Sequence, residues 1–330
     1  MRILSIDPRR PDPAAIAEAA ELLRAGKLVA FPTETVYGLG AHALDADAVE
    51  RIFAAKGRPP RNPIIVHVPD LLSAEDVASS IPAAAERLAK RFWPGPLTLV
   101  LPKRDIVPSV VTGGGQTVAV RVPAHPVALA LLEAADVPIA APSANPSMRL
   151  SPTRAEHVIE GLGDTVALIL DAGPAPGGIE STVVDVSGDE PVLLRPGLLP
   201  HARIEEVLGV PLRRREAGGG DALLSPGMLA KHYAPRTPLE LCLSNADALR
   251  RTEDLASQGL RVGFVPLGAA VPSSAMRQQP LPGDPERAAA VLYDMLHALD
   301  AAGVDRIIVT LPPDHPSWTA IRDRLMRASV

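Results

Sequence analysis

Four basic residues lie within one short segment of a chain whose formal net charge is −5: Arg51, Lys56, Arg58 and Arg61. The last three belong to the run KGRPPRN, whose glycine and two prolines favour a stiff loop. Fixed positive charges suit polyphosphate, because a flexible side chain loses more entropy on binding. A solvated helix end is the usual explanation of a charge run and is the alternative. We expect Lys56 and Arg58 to be surface groups that bind phosphate.

A run rich in hydroxyl groups, FPTETVYGLG, begins at Phe31 and follows an apolar strand. Thr33, Thr35 and Tyr37, with two glycines, indicate a polar loop at the carboxyl end of a strand, where open α/β sheets place ligands. The alternative is an ordinary strand-to-helix turn with threonine as a cap. The glycines imitate a dinucleotide fingerprint, but no suitably placed acidic residue follows them.

Arg121 interrupts the apolar strand VAVRV, and a buried guanidinium needs a partner. That partner is either a carboxylate of the protein or the carboxylate of a ligand, and the sequence leaves both possibilities open. His67 lies in another strand, where a lone histidine is more often structural than catalytic.

Two further polar segments adjoin apolar strands. In PIAAPSANPS, Ser143 and Asn145 alternate along one side of an extended segment, and small neighbours let a ligand approach the backbone. A serine nucleophile is the rival interpretation, but the chain lacks G-x-S-x-G and no His or Asp partner is placed by spacing. The second segment, GGIESTVVDV, contains Ser181 and precedes LLRPG, in which Arg195 closes a strand.

The sequence contains no P-loop, no protein-kinase signature and no metal-ligand spacing among its eight histidines. If ATP binds, scattered basic and hydroxyl groups must hold it, with Mg²⁺ bridging the phosphate oxygens. We predict no metal ligand from protein side chains and no organic cofactor.

The elements that must position these groups alternate between short strands and helices in the first two hundred residues. Strands are predicted at 28–31, 64–68, 97–101, 118–122, 166–170, 182–186 and 192–195. Helices, several with acidic or proline starts, are predicted at 13–25, 46–55, 83–92, 126–134 and 153–160. This alternation is typical of an α/β or α+β fold with a mixed sheet.

A charged, glycine-rich run, RRREAGGGD, starts at Arg213 and marks the domain boundary. Beyond it, strands at 239–243, 261–266 and 307–310 alternate with helices, one of them at 285–302, which predicts a small parallel sheet. We therefore predict a catalytic domain at 1–209, a linker or lid at 210–237 and an α/β domain at 238–330.

Composition limits the class of protein. A chain of 330 residues, 47% of them hydrophobic, can form about two domains, and its acidic charge argues against an overall basic surface for nucleic acid. The single cysteine, Cys242, cannot form an internal disulfide. No apolar signal core or membrane-length apolar run is present, so a cytoplasmic protein without membrane contact is expected.

Taken in order, FPTETVYGLG, KGRPPRNPIIVHV, WPGPLTLVL, TVAVRVPAHP, IAAPSANPS, SPT, GGIESTVVDV and LLRPG resemble the Sua5/YrdC family. The later SPGMLAKHYAP, followed by an α/β segment, resembles the two-domain Sua5 form. The resemblance spans nearly the whole chain, and its motifs are long. It implies a YrdC-like domain with a twisted mixed sheet and a large basic cavity, plus a smaller Rossmann-like α/β domain.

The family resemblance also implies an activity. Members make L-threonylcarbamoyladenylate from L-threonine, bicarbonate and ATP with release of pyrophosphate, and a separate transferase uses the product to modify tRNA to N6-threonylcarbamoyladenosine. The residues that match the family's nucleotide set, with catalysis assigned to the first two, are Lys56, Arg58, Asn62, Thr117, Ser143, Asn145, Ser151, Arg195 and Tyr233. Those that match the threonine set are Thr33, Thr35, His67, Arg121, Ala141 and Ser181.

Two other classes of function compete with this one. Carbamoyl transfer from carbamoyl phosphate uses a related domain, but predicts zinc-finger or acylphosphatase modules that this sequence lacks. An RNA-binding module without chemistry predicts binding that weakens steeply with salt. Direct binding of tRNA is left open by the sequence.

Overall fold

A computed structural model describes residues 1–214 and 232–329. The strands are β1 (Arg2–Ser5), β2 (Val29–Phe31), β3 (Gly38–His42), β4 (Ile65–His67), β5 (Leu97–Pro102), β6 (Thr117–Arg121), β7 (Ile139–Ala140), β8 (Leu168–Asp171), β9 (Thr182–Asp185), β10 (Val192–Arg195), β11 (Arg213–Arg214), β12 (Leu239–Cys242), β13 (Val262–Val265), β14 (Arg277–Gln278) and β15 (Arg306–Thr310). The α-helices are α1 (Pro13–Arg24), α2 (Ala46–Lys56), α3 (Ala83–Phe92), α4 (Ser109–Thr112), α5 (Pro126–Ala135), α6 (Ala155–Leu162), α7 (His201–Leu208), α8 (Asn245–Ser257), α9 (Pro285–Ala301) and α10 (Thr319–Ala328).

Contacts divide the described chain into two compact units. The first unit contains Met1–Ser147, Pro152–Pro176 and 180–214, and the second contains Met148–Ser151, Gly177–Ile179 and 232–329. The glycine-rich run and most of the predicted lid fall at 215–231, outside the described residues. The domain boundaries drawn from the sequence at 209 and 237 therefore stay predictions.

The first unit is built on a mixed sheet in the order β1-β8-β2-β3-β7-β4-β6-β5-β9-β10-β11. Its central strands have two differently packed faces, because side chains alternate and cross-strand partners share a face. On one face, Val66, Leu99 and Val120 belong to the main core, which includes buried residues of α2, α3 and α7. The opposite face carries a cluster whose members all lie on strands: Ile65, Val100, Ala119, Val183 and Leu194.

Local sequence explains where α2 begins and ends, which matters because α2 carries Lys56. Asp45 caps its amino end by accepting hydrogen bonds from the backbone of Asp47 and Ala48. Gly57 stops the helix in the left-handed conformation, with φ of 57°. Lys56 is thus the last residue of α2, and the KGRPPRN loop starts immediately after it. The predicted helix at 46–55 is confirmed.

The glycines of FPTETVYGLG do not lie in a loop, which corrects the sequence prediction. Gly38 and Gly40 belong to β3, which pairs antiparallel with β2. A Cβ at Gly40 would lie 2.8 Å from Phe31 and 3.0 Å from Ile139, so the neighbouring side chains occupy the space that glycine leaves. Only residues between Phe31 and Gly38 form the connecting loop.

The second unit contains a four-stranded sheet in the order β12-β15-β13-β14, with every pair parallel. Acceptors at helix starts again fix the boundaries: Ser244 caps α8, and Asp284 followed by Pro285 opens α9. The mixed sheet of the first unit and the small parallel sheet predicted for the second are both confirmed. Among the residues described, no helix is both long and apolar enough to cross a bilayer.

Candidate functional site

Arg121 and His67 lie side by side on the face of the first sheet opposite the main core. They are cross-strand partners at the ends of β6 and β4, and two residues earlier Ala119 and Ile65 are paired in the same register. Because alternate residues of a strand share a face, the cation and the imidazole adjoin the strand-only apolar cluster. Both side chains are buried.

The partner of Arg121 is a protein carboxylate, the first of the two alternatives that the sequence left open. Its guanidinium donates to a carboxylate oxygen of Glu34, to the hydroxyl of Thr35 at 3.0 Å and to the carbonyl of Gly95 at 3.2 Å. Sequence reasoning missed Glu34. The available signal was that Glu34 is the one acidic residue in FPTETVYGLG, next to the two threonines that were chosen.

The two threonines form a short hydrogen-bonded chain in the loop after β2. The hydroxyls of Thr33 and Thr35 lie 2.8 Å apart, and that of Thr33 donates to the carbonyl of Val36 at 2.6 Å. Thr35 also receives the bond from Arg121, so the loop is tied to β6. We call Thr33, Glu34, Thr35, His67 and Arg121 the arginine cluster.

His67 is uncharged at neutral pH. Burial, followed by the positive charge of Arg121, lowers the pKa of His67 to about 3. Its ring meets that of Phe31 edge-on at 6.4 Å between centroids, and its Nδ1 is buried without a hydrogen-bond partner among the described residues. A neutral imidazole with a free nitrogen can exchange a hydrogen bond with a ligand without adding charge.

Ser181, which directly precedes β9, and Arg195, the last residue of β10, form a second buried contact. The guanidinium of Arg195 donates to the Ser181 carbonyl at 3.0 Å and to its hydroxyl at 3.2 Å. That hydroxyl lies 2.8 Å from the hydroxyl of Thr98 on β5, a residue that sequence analysis did not single out. The structure therefore brings together the serine and arginine from two separate motifs.

Lys56 is buried, which corrects the expectation of a surface charge. Its ammonium donates to the backbone carbonyls of Ser143, at 2.5 Å, and of Asn145. These are neutral acceptors, and no carboxylate among the described residues pairs with it. Burial, and next the charge of Arg58, hold the pKa of Lys56 well below its usual value.

Arg58 and Asn62 complete this group at the start of β4. Arg58 is buried and donates to the carbonyls of Asn62 at 3.1 Å and Pro63 at 2.8 Å. The side-chain amide of Asn62 is fully buried, and neither its oxygen nor its nitrogen has a partner in the described structure. An unpaired buried amide costs about 1–3 kcal/mol, which indicates a position for a polar ligand.

We call Lys56, Arg58, Asn62, Ser143 and Asn145 the cationic cluster. The other two basic residues of the segment do not join it: Arg51 donates to the carbonyl of Gly26, and Arg61 is exposed. The cationic cluster and the arginine cluster flank the two ends of β4. His67 lies five positions after Asn62 in the sequence, so their backbones lie at most about 18 Å apart.

The remaining predicted residues of the first unit lie on β6 or in the segment that follows β7. Ala141 donates its backbone N–H to Ile65 at 2.9 Å, which ties the segment before Ser143 to β4. Thr117 begins β6 and shares a face with Arg121, four residues on. The side chain of Asn145 donates to the carbonyl of Pro146 at 3.0 Å.

Two residues predicted to bind nucleotide, Ser151 and Tyr233, belong to the second unit. Ser151 is buried, and its carbonyl lies 3.1 Å from Nε2 of His297. Tyr233 is buried with a positive φ of 60°, an uncommon conformation for a bulky residue. The guanidinium of Arg324 lies 4.8 Å from the centre of its ring.

A surface groove of about 1050 Å³ lies elsewhere in the first unit and contains none of the predicted site residues. Its charged lining residues are of both signs: Glu75, Glu86, Lys103, Arg104 and Asp105. We place the candidate site at the buried cations instead. Burying a charge away from water costs free energy, and groups held at such a cost cluster at functional sites. An open groove lined by charges of both signs carries no such cost. No group of three or more His, Cys, Asp and Glu residues that could hold a metal ion is present in the described parts of the chain.

The fold and the site define an α/β protein of two units, the first of which buries cations beside an unpaired amide. Comparison with known families gives the class a name. The Sua5/YciO/YrdC model, described as "Telomere recombination", matches residues 21–197, and a model described as "Threonylcarbamoyl-AMP synthase, C-terminal domain" matches residues 199–330. The chain belongs to the Sua5/YciO/YrdC family.

Individual relatives agree over nearly the full length. A threonylcarbamoyl-AMP synthase of Pyrococcus abyssi is 47% identical over 94% of this chain and 93% of its own. One of Bacillus subtilis is 45% identical over 95% of this chain and 92% of its own. The crystal structure of P. abyssi Sua5 complexed with L-threonine matches with a TM-score of 0.94 and 44% identity, covering 100% of this chain and 98% of that one.

Proposed function

We propose that this chain is an L-threonylcarbamoyladenylate synthase, a nucleotidyltransferase that uses L-threonine, bicarbonate and ATP and releases pyrophosphate. Full-length relatives of that name support the proposal, as does the related structure that contains L-threonine. The observation that carries it is the buried Lys56 ammonium, whose acceptors among the described residues are all neutral, in a cluster that also contains the Asn62 amide, which has no partner there. Such a group gains most from an anionic ligand, and a triphosphate supplies one.

The reaction balances in two steps. The free amine of threonine and bicarbonate give a carbamate and water. A carbamate oxygen then attacks the α-phosphorus of ATP, and the bond to pyrophosphate breaks. Negative charge increases on the departing phosphates, so fixed cations lower the barrier without needing a protein nucleophile.

In this proposal Lys56 and Arg58 stabilise the phosphates together with Arg195, and Mg²⁺ arrives bound to the ATP oxygens. The other nucleotide contacts come from Asn62, Thr117, Ser143, Asn145, Ser151 and Tyr233. Arg121 receives the threonine carboxylate, for which its planar fork of donors is suited. The other threonine contacts come from Thr33, Thr35, neutral His67, the backbone at Ala141 and Ser181.

The product carries a reactive mixed anhydride, so it must pass to a group acceptor. We propose that a downstream tRNA threonylcarbamoyl transferase consumes it in the cytoplasm, which gives the N6-threonylcarbamoyladenosine of tRNA. Catalysis by this chain itself then requires no bound tRNA.

Incubation with ATP, bicarbonate and each amino acid in turn, followed by measurement of pyrophosphate, tests the proposal. We expect release that depends on both threonine and bicarbonate. Pyrophosphate that appears regardless of threonine contradicts the proposal. Turnover of carbamoyl phosphate would favour the carbamoyl-transfer alternative. Salt-sensitive RNA binding without any nucleotide turnover would favour the RNA-binding alternative.

A further inference from the structure

Glu34 is a carboxylate with half of its hydrogen-bonding capacity unused. One oxygen accepts from the guanidinium of Arg121, whereas the other, Oε2, is buried without a partner in the described structure. Only 15% of the side chain is exposed. A buried ionised oxygen without a donor is costly, so the structure has an acceptor position to fill.

Arg121 has the complementary surplus. A guanidinium carries five N–H groups, and within residues 1–214 and 232–329 Arg121 donates three hydrogen bonds, to Gly95, Thr35 and Glu34. Only 4% of its side chain is exposed, so water does not readily satisfy the remaining donors. Two spare donors beside one spare acceptor match a zwitterion, in which a carboxylate and an ammonium are carried on one carbon.

We propose that Glu34 binds the α-ammonium group of the amino-acid substrate while Arg121 binds its carboxylate. Threonine thus binds as the ammonium and reacts as the free amine, after its proton has passed to water. The inference rests on the proposed function and adds the residue that recognises the amine. An ammonium entering this site meets the positive charge of Arg121, so a neighbouring negative charge is required to hold it. The threonine hydroxyls are less suited, because Thr33 and Thr35 already bond to each other and to Val36 and Arg121.

The same residue explains how the site is stable without substrate. The Glu34–Arg121 pair neutralises two buried charges in the free protein. A zwitterion bound to the spare donors of Arg121 and to Oε2 of Glu34 adds two ion pairs to the existing one and leaves neither group unpaired. A ligand with a carboxylate and no amine gives Arg121 a partner and gives Glu34 none, so binding discriminates against it.

Calorimetric titration with two ligands tests the proposal. One is L-threonine, and the other is 2,3-dihydroxybutanoate of matching configuration, which carries a hydroxyl in place of the amine. The wild-type protein is expected to prefer threonine. In Glu34→Gln, which keeps the shape and removes the charge, that preference should fall by about 10- to 100-fold, the range for a hydrogen bond to a charged group. Glu190→Gln, at an exposed pair with Arg213, is the matched control and should keep the preference.

The outcomes separate this inference from the proposed function. A Glu34→Gln protein that keeps the full preference for threonine overturns the inference alone. Wild-type protein that ignores threonine but binds another amino acid through Glu34 overturns the proposed function alone, and failure to bind any amino acid overturns both. If Glu34→Gln does not fold, Glu34→Asp provides the measurement, since its charge is retracted by one methylene and the preference should fall by about tenfold.

Discussion

At the scale of single residues, Lys56 is a buried positive charge that has no anionic partner among the described residues. Its ammonium is hydrogen-bonded by carbonyl oxygens of Ser143 and Asn145, which satisfy its protons without cancelling its charge. Its pKa is lowered because the charged form is desolvated. In the proposed function a phosphate supplies the negative charge that Lys56 lacks, and part of the free energy spent on burying the ammonium is then recovered in binding.

Replacing Lys56 with methionine should abolish threonine-dependent pyrophosphate release and change the pH dependence of stability. The folded-state pKa lies below the unfolded value of 10.5, so between the two the unfolded chain binds more protons. Wild-type stability therefore rises with pH up to about 10.5, and Lys56→Met lacks this rise. Urea midpoints measured from pH 7 to 10 check it.

Lys90→Met is the matched control, because Lys90 is an exposed lysine paired with Glu86 on α3. Its midpoints should run parallel to those of the wild type. If the curve of Lys56→Met also runs parallel, Lys56 is not a desolvated ammonium in solution.

His67 should make the first unit sensitive to acid. Its folded-state pKa of about 3 lies below the ordinary value of 6.5, so the unfolded chain gains the proton first as pH falls. Its contribution to stability is complete above 6.5 and declines by about 1.4 kcal/mol per pH unit towards 3. His67→Gln should flatten the fall of the urea midpoint between pH 6.5 and 4.

The sequence predicted which residue types need a polar partner, but it did not predict which groups those residues contact. Arg121 was expected to need a carboxylate, but Glu34 lies 87 residues away in the chain, and only the fold brings them together. Lys56 was expected at the surface, and this prediction failed because its two carbonyl partners lie 87 and 89 residues away in the chain. Local patterns cannot report burial that is created by distant chain.

At the scale of elements, β3 holds the loop of the arginine cluster against its neighbours, and its glycines are not equivalent. An added methyl group at Gly40 would meet Phe31 at 2.8 Å and Ile139 at 3.0 Å. At Gly38 the nearest atom lies at 3.4 Å, an ordinary contact. The close packing of β2 and β7 on Gly40 therefore leaves no room for a side chain.

Gly40→Ala should lower the free energy of unfolding of the first unit by about 1–3 kcal/mol, the usual cost of overpacking. Gly38→Ala, two residues earlier in the same strand, should cost less than about 1 kcal/mol. Urea denaturation of both variants followed by circular dichroism makes the comparison. Equal losses would mean that strand propensity, and not the contact with Phe31, sets the need for glycine.

Most of the longer elements could be predicted from apolar periodicity and from capping residues such as Asp45 and Asp284. The short strands β1 and β3 could not. Strand β1 is held by parallel pairing with β8, more than 160 residues later, and β3 by the fit of its glycines against β2. Pairing of this kind is a tertiary effect, so it leaves no local pattern.

At the scale of the whole molecule, the two units are interleaved in sequence. Met148–Ser151 and Gly177–Ile179 are short segments flanked on both sides by residues of the first unit, yet they cluster with the second unit. Ser151, a predicted nucleotide contact, lies in one of them. Removal of residues 232–329 should therefore take from Ser151 its contact with His297 and spare the arginine cluster, whose five members all belong to the first unit.

A chain that ends after Arg214 tests this, because it keeps β11 paired with β10. Its dissociation constant for L-threonine should stay within about twofold, which also shows that the unit is folded. Its KM for ATP should rise by about tenfold, equivalent to the loss of one typical hydrogen bond, since Ser151 loses the residues that it packs with. The lid hypothesis adds a shorter lifetime of the product, because water reaches the carbamate. Unchanged ATP affinity and product lifetime would assign the second unit a role outside the reaction.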